Sequence, residues 1–209
     1  MIVYKSLYDK AETELIINKS RFIARITPIE DYDEAKSFIS EVQSKYKDAT
    51  HNVPALVCGY KQEIQWASDD GEPKGTSGAP MLNVILSEGI TNVAIVVTRY
   101  FGGTLLGTGG LVRAYSESAR KGIDAAGKAL VKEKKILKYR IEYHLLGKII
   151  NSSKNDIFSV ISTEYSDKVE LELMTDSDNT KILAELIKNI CSGRELLINE
   201  RTEFVKERI

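Results

Sequence analysis

The apolar positions of this chain follow two kinds of pattern, and they change most clearly over residues 93–127. Residues 93–97, Val-Ala-Ile-Val-Val, form an unbroken apolar run, which is typical of a strand buried on both faces. From Leu111 to Ala126 small and apolar residues recur at helical spacing, and Gly127 follows as a helix-ending residue. The sequence therefore predicts a strand, a loop and a helix in this region.

The first half of the chain carries further patterns of both kinds. Residues 12–18 and 20–26 alternate between apolar and polar positions and predict two strands joined by a turn at Asn18-Lys19. Asp31 followed by Glu34 is typical of a helix start, and the apolar spacing predicts a helix over 31–46. Shorter patterns predict strands at 55–60 and 64–68 and a helix at 79–88.

The second half changes character after Gly127. A basic cluster comes first, which we interpret as a linker: Lys128, Lys132, Lys134, Lys135, Lys138 and Arg140, opposed by Glu133. Patterns for strand, helix, strand, strand, helix and strand then follow at 136–145, 146–153, 157–165, 168–174, 179–191 and 195–205. This βαββαβ order is that of a ferredoxin-like unit. The sequence predicts an α+β protein with domains at 1–130 and 135–209.

Composition narrows the function classes. The 209 residues are 43% hydrophobic and 28% charged, with a net charge of −1, so no global field draws the chain to nucleic acid or to a membrane. Cys58 and Cys191 lie in no metal or redox spacing and fit a reducing compartment. No apolar run approaches membrane-spanning length. We expect a cytoplasmic protein, and if it binds nucleic acid, the contact must be made by a local group of basic residues.

The loop after the central strand is the densest chemical signal. Residues 98–113 hold five glycines and two arginines, and a helix is predicted directly behind them. Free N–H groups at a helix start favour an anion, so we predict phosphate binding here. The candidate ligands are Arg99, Gly102, Gly103, Gly107, Gly109, Gly110 and Arg113, with Lys74 and Thr76. The alternative is a tight architectural crossover, and the spacing matches neither the P-loop nor the dinucleotide fingerprint.

A polar loop at 69–78 and a histidine upstream are weaker candidates. Asp69, Asp70 and Glu72 could supply oxygen ligands to a metal, but we favour an exposed, mobile loop that ends in a cap at Thr76 or Ser77. His51, with Asp69 and Asp70, remains a low-ranked polar site, since no nucleophile motif accompanies the histidine. We predict no catalytic residue, no metal and no cofactor.

Several motifs together resemble the IMPACT / YigZ family. They are Ser20-Arg21-Phe22, the stretch 51–55, the stretch 68–80, and residues 89–107 with Thr98-Arg99-Tyr100-Phe101-Gly102-Gly103 at their centre. Val53 departs from the small or sulfur-bearing residue expected there. The resemblance implies an N-terminal two-layer α/β domain like the fourth domain of elongation factor G, followed by a ferredoxin-like domain. Eukaryotic relatives regulate translation through the general amino-acid control pathway, whereas bacterial relatives have no settled activity.

Three functions stay open on this basis. The resemblance favours a translation modulator that binds RNA or ribosomes, with Tyr100 and Phe101 available to stack on bases. A second candidate is an enzyme acting on a phosphorylated substrate at the glycine-rich loop. A third is an adaptor that binds a translation-regulatory protein and no nucleic acid. We expect no membrane partner, and the sequence leaves the oligomeric state undetermined.

Overall fold

The computed structural model describes residues 2–153 and 156–209 and has the predicted α+β class. Two compact units form: one contains residues 4–130 and 206–209, and the other contains 131–205 with the N-terminal residues up to Val3. The division falls inside a strand, so the expected linker is wrong. Whether each unit folds independently stays a prediction.

The first unit begins partway along a strand at Ile2–Leu7 that was not predicted, and the elements after this strand follow the predicted order. In chain order they are β1 (Ile2–Leu7), β2 (Ala11–Ile17), β3 (Ser20–Pro28), α1 (Tyr32–Lys45), β4 (His51–Cys58), β5 (Ile64–Ala67), α2 (Gly78–Ser87), β6 (Val93–Tyr100) and α3 (Gly107–Ala126). Asn18 and Lys19 form the predicted turn between β2 and β3, with φ of 47° and 67°. Two successive positive φ values suit a two-residue hairpin.

The central sheet places β6 in its middle. The strand order is β2-β3-β6-β4-β5, and every neighbouring pair is antiparallel. Residues 93–97 are fully buried, as the unbroken apolar run predicted. Val93, Ile95 and Val97 face the core shared with α2 and α3, whereas Ala94 and Val96 face α1. Helices therefore cover both faces, one layer more than the two expected.

The second unit has the predicted βαββαβ order. Its elements are β7 (Lys128–Ile141), α4 (Tyr143–Ser152), β8 (Phe158–Tyr165), β9 (Val169–Asp176), α5 (Thr180–Cys191) and β10 (Leu196–Arg208). The strands β7, β9 and β8 lie side by side in that order, and β10 also pairs with β7. Leu183, Ile187 and Cys191 of α5 pack into the core of this unit.

The basic cluster belongs to β7 and is largely neutralised there. Lys138 lies 2.9 Å from Glu170 and 3.1 Å from Glu164, and Arg140 lies 2.6 Å from Glu170. Lys128, Lys134 and Lys135 form ion pairs with Glu88, Asp176 and Glu200. The acids in these pairs are distant in sequence, so the local excess of lysine wrongly indicated a solvated linker where the chain forms a strand.

No helix among residues 2–153 and 156–209 combines the length and the apolar character needed to cross a bilayer.

Candidate functional site

The start of α3 is open to solvent. The helix begins at Gly107, so Gly109 and Gly110 lie inside its first turn. Gly107, Thr108 and Gly109 are exposed. Within the described residues, no side chain caps this helix start and its first turn contains no acid. The first N–H groups of a helix have no partner within the helix, so they are available here to an acceptor from outside.

The glycines of the loop serve different purposes. A Cβ on Gly102 would lie 2.1 Å from the carbonyl carbon of Lys19, and the Gly102 N–H donates to Ser20 Oγ at 3.1 Å. Gly102 is therefore architectural. Gly103 and Gly107 adopt φ of 82° and 69°, which other residues reach only under strain. The backbone conformation is therefore a sufficient reason for these two glycines, and they do not by themselves indicate a ligand.

Gly109 differs from these three. Its φ is not positive, and a Cβ built on it meets nothing within 4 Å. A glycine in a helix costs about 0.5–1 kcal/mol relative to alanine. Neither packing nor backbone conformation requires a glycine at this position, and without a Cβ the backbone here is open to close approach by an external group.

A cavity of about 390 Å³ adjoins this helix start. Its walls come from the beginning of β4, the loop before α2, the end of β6 and the start of α3. They are formed by Thr50, His51, Gly71, Glu72, Pro73, Arg99, Phe101, Leu105, Leu106, Gly107, Thr108 and Leu111. Phe101 and Leu105 are exposed apolar residues of this wall. The cavity thus combines apolar surface with a few polar groups, as small-molecule sites do.

Glu72 organises the polar part of the cavity. Its side chain is only 2% exposed. Its Oε1 accepts hydrogen bonds from Arg99 Nη1 and from the Tyr115 hydroxyl, each at 2.7 Å. A buried carboxylate needs such partners, because burial of an unpaired charge is expensive.

Arg99 is held by this carboxylate and by aromatic rings. The guanidinium carbon lies 5.4 Å from the centre of the Phe22 ring and 5.6 Å from that of Phe101. Its Nε is buried and has no hydrogen-bond partner among the described residues. Arg99 lines the cavity, but Glu72 compensates its charge, so Arg99 is not a free surface cation.

Tyr115 is a buried core residue of the first unit, and its hydroxyl donates a hydrogen bond to Glu72. Burial, followed by the hydrogen bond to Glu72, raises the pKa of the Tyr115 hydroxyl far above its usual value. The phenol therefore stays protonated and remains a donor. Its ring meets that of Phe22 edge to face, with centroids 5.3 Å apart.

His51 presents one ring nitrogen to the cavity. Its Nδ1 lies 2.6 Å from the carbonyl oxygen of Asp70, and because a carbonyl only accepts, Nδ1 carries the proton. Its Nε2 lies 3.9 Å from Glu72 Oε2, beyond hydrogen-bonding distance. In the neutral ring, Nε2 is then an acceptor on the cavity wall.

The loop at 69–78 is folded against the unit, which corrects the expectation that it is exposed throughout. Asp69 accepts hydrogen bonds from the N–H groups of Gly75, Ser77 and Gly78 and from Ser77 Oγ, at 2.7–3.2 Å. Although burial raises the pKa of Asp69, these bonds outweigh it and hold that pKa below 3.8. Asp69 thus caps α2, whereas Ser77 makes no side-chain cap there.

The other predicted ligands of this loop lie apart from one another. Asp70 is exposed, and its carboxylate accepts from the N–H of Asn52 at 2.6 Å. Thr76 is buried and donates to Pro73 O at 2.7 Å, while Lys74 is exposed and absent from the cavity wall. With Glu72 bonded to Arg99, the three acids of the loop do not share a metal site.

The structure separates the two aromatic candidates. Phe101 is 45% exposed and forms part of the cavity wall. Tyr100 is half-buried outside that wall, beneath the guanidinium of Arg21 at 5.7 Å. Burial and a hydrogen bond with Asp48 raise the pKa of Tyr100. Arg113 is exposed on α3 and also lies outside the cavity wall, so Phe101 is the better placed residue for stacking.

The sequence analysis considered Glu72 only as a metal ligand and did not identify Tyr115 as a site residue, but Arg99 gave a usable signal. Val93, Ile95 and Val97 face the core, and Arg99 continues that alternation. A charged residue in phase with a buried face requires a buried counter-charge. A search of the polar loop at 69–78 for that acid would have offered three candidates, Asp69, Asp70 and Glu72.

Comparison with known proteins identifies the relatives of this chain. Residues 18–123 match the family model described as the Impact N-terminal domain. IMPACT family member YvyE of Bacillus subtilis is 37% identical over 91% of this chain and 88% of its own length. IMPACT family member YigZ of Escherichia coli is 40% identical over 65% of this chain and 73% of its own length.

A eukaryotic protein and a solved structure are also similar to this chain. Protein IMPACT of Rattus norvegicus is 34% identical over 43% of this chain, a match that spans 29% of the rat protein. A crystal structure described as that of a hypothetical protein aligns with a TM-score of 0.60 and 29% identity, covering 94% of this chain and 97% of the other.

Proposed function

This chain belongs to the IMPACT family, and we propose that it binds RNA, on its own or within the ribosome, and thereby modulates translation. The observation that carries this proposal is the uncapped start of α3, with Gly109 open beside it. Backbone donors and the helix dipole favour a phosphate oxygen at this position. The exposed ring of Phe101 in the adjoining cavity wall offers a base a surface to stack on.

The charges around the site limit how many phosphates it holds. Arg99 is paired with Glu72, and most of the basic residues of β7 are paired with acids. We therefore expect a shallow salt dependence. Each neutralised phosphate of a single strand contributes a slope of about −0.7 in log affinity against log salt, so a single helix start supports about that value.

The experiment measures fluorescence anisotropy of a labelled oligoadenylate at several salt concentrations. Gly109→Glu places a negative charge beside the helix N-terminus, and Gly109→Gln is its neutral control of the same size. Glu and Gln both have a higher helix propensity than glycine, and an acid in a first helical turn is stabilising, so both variants should fold. A charge about 4 Å from a phosphate costs at least about 1 kcal/mol, so the Glu variant should bind about fivefold more weakly than the Gln variant.

Two results contradict the proposal. If the wild-type chain does not bind the oligoadenylate even at low salt, RNA is not its partner. If the Glu and Gln variants bind equally, RNA binds elsewhere on the chain and the start of α3 is not the site. Circular dichroism of both variants establishes that they are folded before either result is interpreted.

A further inference from the structure

The polar end of the cavity suits a neutral group better than a phosphate. Glu72 and Arg99 meet at 2.7 Å and cancel each other's charge. A phosphate placed against Glu72 would meet a carboxylate, whereas one at the start of α3 meets only backbone donors. A ligand that touches both ends therefore directs its phosphate to Gly107 and Thr108 and its uncharged part toward Glu72.

Two hydrogen-bond acceptors lie at the end of the cavity formed by Glu72 and His51. Glu72 Oε1 already receives two hydrogen bonds, and Oε2 lies 3.9 Å from His51 Nε2, too far for a hydrogen bond between them. His51 Nε2 is the second acceptor, since Nδ1 donates to Asp70 O. Acceptors spaced in this way are complemented by hydroxyl donors, and a carboxylate that binds ribose hydroxyls is a recurrent arrangement in nucleotide sites.

We infer that the cavity selects a ribonucleotide unit, with its phosphate at the start of α3, its ribose hydroxyls on Glu72 and His51, and its base against Phe101. The inference rests on the proposed RNA binding and adds the chemistry that would distinguish RNA from DNA. A volume of about 390 Å³ lies within the range of small-ligand sites, about 300–1,000 Å³. The 2′-hydroxyl is the group that allows a protein to make this distinction.

The test compares matched ribose and deoxyribose ligands on the wild-type chain. Binding of oligoadenylate is measured against oligodeoxyadenylate, and binding of adenosine monophosphate against its 2′-deoxy form. The mononucleotides exclude differences in strand geometry. A missing hydroxyl leaves a buried acceptor unpaired, so we expect the ribose form to bind about tenfold more tightly in both comparisons.

Two variants assign the preference to the cavity. His51→Phe keeps a ring and removes both nitrogens, and it should lower the ribose-to-deoxyribose ratio, because Glu72 is then the acceptor left for the ribose hydroxyls. Gly109→Glu should weaken both ligands and leave that ratio unchanged, since it acts on the phosphate. Urea unfolding measures the stability of both variants, and a His51→Leu variant, which also lacks the ring nitrogens, replaces the Phe variant if that protein proves unstable.

The outcomes separate this inference from the function on which it rests. Equal binding of ribose and deoxyribose ligands, with both weakened by Gly109→Glu, overturns the ribonucleotide inference and leaves RNA binding intact. A ribose preference that no His51 variant lowers overturns the assignment to this cavity. Failure of every ligand to bind overturns the proposed function together with the inference.

Discussion

The buried cluster of Glu72, Arg99 and Tyr115 makes a quantitative prediction about stability. Glu72→Gln leaves the Arg99 guanidinium, 5% exposed, without a counter-charge. Arg99→Met leaves the Glu72 carboxylate in the same position. Breaking a buried ion pair from one side costs about 3–5 kcal/mol, and we expect each single variant to lose that much free energy of unfolding.

The double variant should cost far less than the two singles together. With Gln at 72 and Met at 99 no charge is buried, and the Tyr115 hydroxyl can still donate to the Gln carbonyl. The double variant should lose only the free energy of unfolding that buried polar groups with incomplete hydrogen bonding cost, about 1–3 kcal/mol. The coupling energy in the double-mutant cycle should therefore be about 3 kcal/mol or more.

Tyr115→Phe separates the hydroxyl from the ring. The edge-to-face contact with Phe22 remains, and only the 2.7 Å hydrogen bond to Glu72 is lost. Hydrogen bonds to charged groups are worth about 1.5–3 kcal/mol, so this variant should fall between the wild type and the single charge variants.

Urea unfolding followed by tryptophan fluorescence is the assay. Trp66 is the one tryptophan of the chain and lies on β5, in the same unit as the cluster. Its signal therefore reports the unit that the substitutions affect. Additive losses in the double-mutant cycle, or single losses below about 1 kcal/mol, would show that water or another group compensates these charges and would refute the reasoning.

Two further predictions follow from the loops beside the cavity. Gly109→Ala should raise the free energy of unfolding by up to about 1 kcal/mol, whereas Gly103→Ala, equally open but at φ 82°, should lower it by about 1–2 kcal/mol. Asp69→Asn should cost about 0.5–2 kcal/mol at neutral pH, as loss of a helix cap does. Since the folded pKa of Asp69 is lowered, its stabilisation is present above pH 3.8 and disappears as pH falls through that pKa, so urea titrations of the two proteins should converge in acid.

The elements of this fold could be predicted because their signals are local. The apolar run at 93–97, the Asn18-Lys19 turn and the start of α1 at Asp31 each depend on residues within a few positions. In the structure Asp31 Oδ1 accepts from the Glu34 N–H at 2.8 Å, as the pattern indicated. Strand β7 was predicted to start eight residues late because its lysines resembled a linker, and their partner acids lie on other elements.

Glu72 could not be predicted in the same way. Its neighbours in sequence are Asp70, Gly71, Pro73 and Lys74, a composition typical of a turn, so the local pattern favoured exposure. Its burial is caused by Arg99 and Tyr115, which lie 27 and 43 residues further along the chain. The loop reaches them only because Asp69 fixes it to the start of α2, an arrangement that no periodicity encodes.

Charge balance connects this buried acid to the proposed function. A nearly neutral chain that binds RNA needs donors whose charge is not already compensated, and Glu72 removes Arg99 from that set. Backbone N–H groups at the start of α3 carry no counter-ion and no desolvated side chain, so they retain their full attraction for a phosphate. The same carboxylate that neutralises Arg99 places an acceptor in the cavity, where a ribose hydroxyl would satisfy it. Weak attraction for phosphate combined with selection through hydroxyls would give a site that favours RNA by its sugar rather than by its charge.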